Sequence, residues 1–127
     1  MTKYTKRGMP LVRNCETQTE AQFWAMFRNA LRKLTMYWKP GNAYLKDIRR
    51  PNQGENKKLR FEYPCEQCQH WFRREDVELD HKVECGEINS WQTLAQWGER
   101  AFIEKDQGWQ CLCSTCHRIK TNSTRKQ

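Results

Sequence analysis

Apolar positions recur along the chain with two different periods, and the change between them organises it. Phe23, Phe27, Ala30, Leu31 and Leu34 form the single stripe of a 3.6-residue helix, while Arg28, Arg32 and Lys33 project elsewhere. The stripe reads as core. Thr17-Gln18-Thr19-Glu20 fits a capping box, the Thr17 hydroxyl accepting from the Glu20 amide, so the helix is expected to begin there. Trp38-Lys39-Pro40-Gly41 is expected to end it, with Gly41 permitting a turn, and a short second helix from Asn42 to about Arg49 should follow. Past the turn-rich stretch Pro51 to Asn56 the period drops to two. Leu59, Phe61 and Tyr63 alternate with polar residues as in a half-exposed strand, and Val77, Leu79, His81 and Val83 repeat the pattern. Ser90 can cap another helix with Trp91, Leu94, Ala95, Ala101 and Phe102 on its apolar face. Gly108 to Leu112 then reads as a strand, and a last helix should start near Cys113. Residues 1–16 lack periodicity and are basic, which predicts a flexible arm, and residues 121–127 predict a frayed tail. The expected division is residues 1–57 as basic arm and helices, 58–122 as core, and 123–127 as tail.

Composition narrows this picture. A chain of 127 residues with 37% hydrophobic and 30% charged residues and a mean hydropathy of -1.07 has a small core, so a metal is expected to staple it. No apolar run approaches the ~20 residues a membrane span needs, and no apolar signal region precedes Arg13, so a cytoplasmic protein is expected. The net charge of +8 is unevenly placed. Residues 1–60 carry 14 Lys/Arg against four Asp/Glu, whereas residues 61–127 carry nine against eleven. A basic first half joined to an acidic second half that needs a cation fits a polyanionic partner; plain solubilisation is the blander reading.

The cysteines carry the strongest chemical signal. Cys65-x-x-Cys68 and Cys113-x-x-Cys116 bracket 44 residues, the spacing of a tetrahedral zinc site in which each two-residue gap lets both sulfurs face one ion. Seven cysteines, an odd number, argue for metal over the competing disulfide reading. Cys111 offers a rival register but fits a knuckle poorly; Cys15 and Cys85 read as buried or partly buried free thiols. Zinc held by four thiolates is closed, so hydrolytic chemistry would need a second site. Asp80, His81 and His117 supply its parts. Asp80 and His117 are candidate ligands for a second divalent ion, Mg²⁺ or Mn²⁺, and His81, beside a ligand, is a candidate general base. Arg73, Arg74, Arg118 and Lys120 are candidate phosphate contacts, each equally readable as solvated surface; His70 reads as a bystander.

The runs Cys65-Glu-Gln-Cys68, Val77-Glu-Leu-Asp80-His81 and Gly108-Trp-Gln-Cys-Leu-Cys113-Ser-Thr-Cys116-His117-Arg-Ile-Lys120-Thr121 together resemble the HNH (ββα-metal) endonucleases, especially small zinc-stapled ones of tailed bacteriophages. The resemblance covers residues 58–122; Ala30-Leu31-Arg32 and Trp38-Lys-Pro are similar to the helical leader of those proteins. It implies an α+β fold, a zinc-stapled ββα-metal core with an N-terminal helical extension. It also implies structural zinc at the four cysteines, a catalytic ion at Asp80 and His117, and His81 as base. DNA is the implied partner, with a phage or host protein as a further one, in a host cytoplasm. A non-catalytic zinc module binding nucleic acid or protein is the alternative. Many members of that family carry Asn where this chain has Gly108; Asn89 would substitute only if its loop folded back.

Overall fold

The computed structural model describes residues 1–125. In chain order it runs β1 (Lys3–Tyr4), β2 (Pro10–Leu11), α1 (Glu20–Met36), α2 (Lys39–Ile48), β3 (Arg50–Pro51), β4 (Phe61–Pro64) and β5 (Trp71–Phe72). A 3-10 turn (Arg74–Asp76) leads into β6 (Val77–His81), α3 (Trp91–Ala101), β7 (Trp109–Cys113) and α4 (Ser114–Arg125). The fold is mixed α+β, four helices with small antiparallel sheets. Two compact units emerge, one from Met1–Trp38 with Glu84–Phe102, the other from Lys39–Val83 with the chain from Ile103 onward. None of the described helices is long and apolar enough to cross a membrane.

In the first unit the stretch expected as a flexible arm is instead a hairpin, β1 pairing with β2 in the register Lys3↔Leu11. Gly8, at φ 82°, lets the loop turn where a side chain would be strained. Two-residue strands are too short to show a period, which is why pattern reading misses them. Helix α1 begins two residues later than expected. Thr19 is its cap, accepting from the Gln22 amide at 3.1 Å while the Gln22 side chain accepts from the Thr19 amide at 2.9 Å. The expected Thr17 box does not form, because Glu20 is taken by Arg13 and by the Trp24 indole, each at 2.9 Å. Thr17 turns back to donate to the Asn14 carbonyl. The apolar stripe is core only over its first half. Phe23 and Phe27 pack edge-on with Trp91, and Trp24, at 5% exposure, is the buried residue of α1. Ala30 and Leu34 are exposed. Ser90 caps α3 as expected, with Thr93 closing the box.

The second unit carries the cysteines. Strands β3, β4 and β5 form one antiparallel sheet, and β6 and β7 form a two-stranded ribbon in the register Val77↔Cys113 through His81↔Trp109. Strand β4 begins at Phe61, past Leu59, and β6 stops at His81, leaving Val83 exposed. Helix α2 starts at Lys39 rather than Asn42, because Pro40 fits a first helical turn, where its missing amide needs no partner. Gly41 does not serve a turn. It is buried in α2, where a Cβ would run into the Leu79 side chain and lie 3.2 Å from the Trp109 ring. The glycine lets α2 approach the ribbon, so Leu45 joins Tyr63, Val77 and Cys111 in one buried cluster. The helix that the sequence grouped with the basic arm thus packs against β4 and β7. Helix α4 continues to Arg125, so residues 121–125, expected to fray, are helical; residues 126 and 127 lie outside the described ones.

Candidate functional site

The end of β4 delivers Cys65, the following loop Cys68, the end of β7 Cys113, and the first turn of α4 Cys116. Their four sulfurs lie within 4.8 Å of one another, with Cys68 and Cys113 4.0 Å apart. A tetrahedral zinc with bonds of ~2.3 Å sets its sulfurs ~3.8 Å apart, so a small contraction closes the shell. The backbone is aimed at the sulfurs. The Cys68 amide points at Cys65 Sγ at 3.5 Å and the Cys116 amide at Cys113 Sγ at 3.4 Å. Burial pushes the Cys65 thiol up, but the amides of Cys68, Cys113 and Gln67 outweigh it and hold it down at about 6. Cys116, hydrogen bonded to Cys113 and partly buried, is pushed up to about 12. Four close thiols with a prepared thiolate among them suit a cation, and this cluster could hold a metal ion such as zinc.

Cys111 stands apart from it. Burial, then the Glu66 carboxylate, pushes its thiol up to about 12, which keeps it protonated within the apolar cluster. Cys15 is exposed rather than buried, and Cys85 is half-buried. Sequence reasoning missed Glu66, which lies between the first two ligands. Its amide donates to the Cys111 carbonyl at 2.9 Å, while its carboxylate accepts from the Cys111 amide at 2.5 Å and from the Tyr44 hydroxyl at 2.7 Å. One residue thereby ties the first knuckle to β7 and α2. Burial, then the hydrogen bond to Glu66, raises the Tyr44 phenol well above its ordinary value, so it stays a donor. Gln69, at φ 65°, closes the knuckle by donating to the Cys65 carbonyl.

Alternation along β6 turns Glu78 and Asp80 to one face of the ribbon, and α4 sets His117 against both. His117 Nδ1 lies 2.5 Å from a Glu78 oxygen, and its Nε2 lies 4.0 Å from Asp80 Oδ1. Two ligand bonds of ~2.1 Å can span up to ~4.2 Å, so an oxygen and a nitrogen at this separation can share one small divalent ion. Glu78 is the second residue missed in the sequence. Its signal was the i, i+2 spacing from Asp80, and its effect is to fix the ring so that Nε2 faces the aspartate. Asp80, 16% exposed, also accepts on Oδ2 from Lys120 at 2.5 Å and from Gln110, its cross-strand partner, at 3.1 Å. Burial alone would raise this carboxyl, but the hydrogen bonds from Lys120 and Gln110 outweigh it and hold it below its ordinary range.

His81 is placed differently. As the last residue of β6 it pairs with Trp109, and its ring stacks on that indole at 4.5 Å, tilted 35°. Alternation puts it on the opposite face of the ribbon from Asp80. Of the candidate phosphate contacts, Lys120 lies at the site. Exposed Arg73 is held by Asp76 at 2.9 Å and Glu75 at 3.7 Å, and Arg74 donates to the Val77 carbonyl. Arg118 is exposed on α4, and His70 is exposed in the knuckle loop. Asn89 accepts from Thr93 at the start of α3. Gly108, at φ 125°, holds a conformation that an L side chain resists, and its carbonyl accepts from the Lys82 amide. Beside Asp80 opens a groove of about 470 Å³ lined by Gln67, Lys82, Gln110, Leu112, Cys116, Ile119 and Lys120. No protein-family model, curated protein or solved structure matches the chain.

Proposed function

We propose that the chain is a metal-dependent endonuclease of the HNH type, with zinc at the four cysteines as a structural staple and a second divalent ion as its catalytic centre. One observation carries this reading: His117, braced on one nitrogen by Glu78, presents the other to Asp80 at 4.0 Å, within reach of a shared ion. Two protein ligands would keep such an ion open to water and to phosphate oxygens. A Mg²⁺ or Mn²⁺ ion bound there supplies Lewis acidity toward the phosphoryl and leaving oxygens of DNA.

The side chains do the rest. Asp80 Oδ1 and His117 Nε2 would hold the ion, Glu78 fixes the imidazole by taking its Nδ1 side, and Lys82 and Gln67 offer donors to phosphate oxygens along the groove. His81 takes the proton from the attacking water, which requires its imidazole to leave Trp109 and the end of β6 to turn it toward the Asp80 face when substrate enters. As the water oxygen bonds to phosphorus the P–O3′ bond breaks, leaving a 5′ phosphate and a 3′ hydroxyl that takes its proton from solvent. One base and one ion serve one strand, so a single protomer nicks.

The test is nicking of supercoiled plasmid in Mg²⁺ or Mn²⁺. The wild type should cut, His81→Ala should lose ~100-fold or more, and Asp80→Asn should lose cleavage altogether with the fold retained. Normal cutting by His81→Ala would remove it as the base. A second reading, a non-catalytic zinc module that binds nucleic acid or protein, is favoured by the Lys120–Asp80 pair and the His81–Trp109 stack, which satisfy both residues without a cation. Absence of cutting by zinc-loaded wild type in every divalent ion would select it.

A further inference from the structure

We propose that Lys120 is a positioning residue that keeps the Asp80 carboxylate occupied until an ion and a phosphodiester enter together, so that the open site binds a divalent cation weakly by itself. This rests on the ion site proposed above and adds to it a control on when that site fills.

The geometry is specific. The ammonium reaches Asp80 Oδ2 at 2.5 Å and the His81 carbonyl at 2.8 Å, so it bridges the Asp80 side chain and the main chain of the next residue. Gln110 shares Oδ2, which leaves Oδ1 as the oxygen that faces His117. A divalent ion between Oδ1 and Nε2 would draw on a carboxylate already neutralised by an ammonium a few ångströms away, and like charges at that range repel strongly when half-buried. The same ammonium lines the groove together with Lys82 and Gln67. A phosphodiester entering there offers Lys120 another anionic oxygen and releases Asp80 to the ion. Ion and polyanion then promote each other's binding by equal factors.

A purely structural role makes the opposite forecast. If Lys120 only braces Asp80, removing it loosens a ligand and weakens ion binding. If it competes with the ion, removing it tightens binding.

The experiment is a Mn²⁺ titration of the full-length, zinc-loaded chain without nucleic acid, followed by the electron paramagnetic resonance of free Mn²⁺. Wild type, Lys120→Met, Lys120→Arg and Asp80→Asn would be compared, with circular dichroism and zinc content confirming the fold of each. Lys120→Met should bind Mn²⁺ at least tenfold more tightly than wild type, and Lys120→Arg should stay near wild type. Equal or weaker binding by Lys120→Met, with binding abolished in Asp80→Asn, overturns the role of Lys120 and leaves the ion site standing. Undiminished binding in Asp80→Asn overturns both.

Discussion

The four-sulfur cluster and the Asp80–His117 pair share one junction, where β7 passes into α4, yet they are built in opposite ways. The sulfurs are prepared by the backbone, with amides aimed at Cys65 and Cys113 and a loop geometry that leaves little freedom. The oxygen–nitrogen pair is prepared mainly by side chains: a glutamate behind the histidine, a glutamine and a lysine on the aspartate, with the His81 main chain as a lesser partner. Backbone preparation suits a closed shell around an ion such as zinc. On the proposed reading, side-chain preparation would give a site that can exchange what it holds, because ammonium, ion and phosphate could trade places without that carboxylate's main chain moving.

The sharpest way to break this comparison is to remove a sulfur. Cys65→Ser should abolish zinc binding at the cluster, and a four-cysteine zinc is worth on the order of 10 kcal/mol in small domains, comparable to the whole stability of a domain of this size. The second unit should lose its cooperative melt in calorimetry, whereas Cys111→Ser, outside the cluster, should keep full zinc content. A smaller effect tests the side-chain half. Glu78→Gln retains the shape but loses the charge behind His117, and Mn²⁺ affinity should fall roughly 10- to 100-fold with no change in melting. The smallest effect tests how the two halves are tied. Glu66→Gln exchanges the carboxylate that accepts from Cys111 and Tyr44 for an amide that can satisfy only part of that set, costing about 1–3 kcal/mol in denaturant melts while zinc stays bound.

Much of the sulfur cluster was legible because it is local. Two-residue gaps between cysteines, and a histidine directly after the last of them, fix sulfur positions and the start of α4 with little help from the rest of the chain. The β6 strand was legible through its alternation, and α3 through Ser90. What escaped depends on partners distant in sequence. Nothing near Thr17 announces that Arg13 and Trp24 will claim Glu20 and shift the cap to Thr19. Gly41 looks like a turn former until Leu79 and Trp109 are seen against it. Glu66 and Glu78 are ordinary charged residues in the sequence, and only the folded ribbon gives them Cys111 and His117 to hold. His81 is the instructive case: adjacency to Asp80 suggested a shared task, and what the sequence does not show is that adjacent strand residues face opposite ways and that the imidazole meets Trp109.

Cys116 and His117 are consecutive residues on one helical turn, and that adjacency has a practical consequence at the bench. A strong chelator that strips the thiolates would also disorient the neighbouring imidazole, so inhibition by EDTA would say nothing about which cation had been doing the work. A mild competitor for oxygen-bound ions, used at a concentration that leaves the sulfur-bound ion in place, would separate the two.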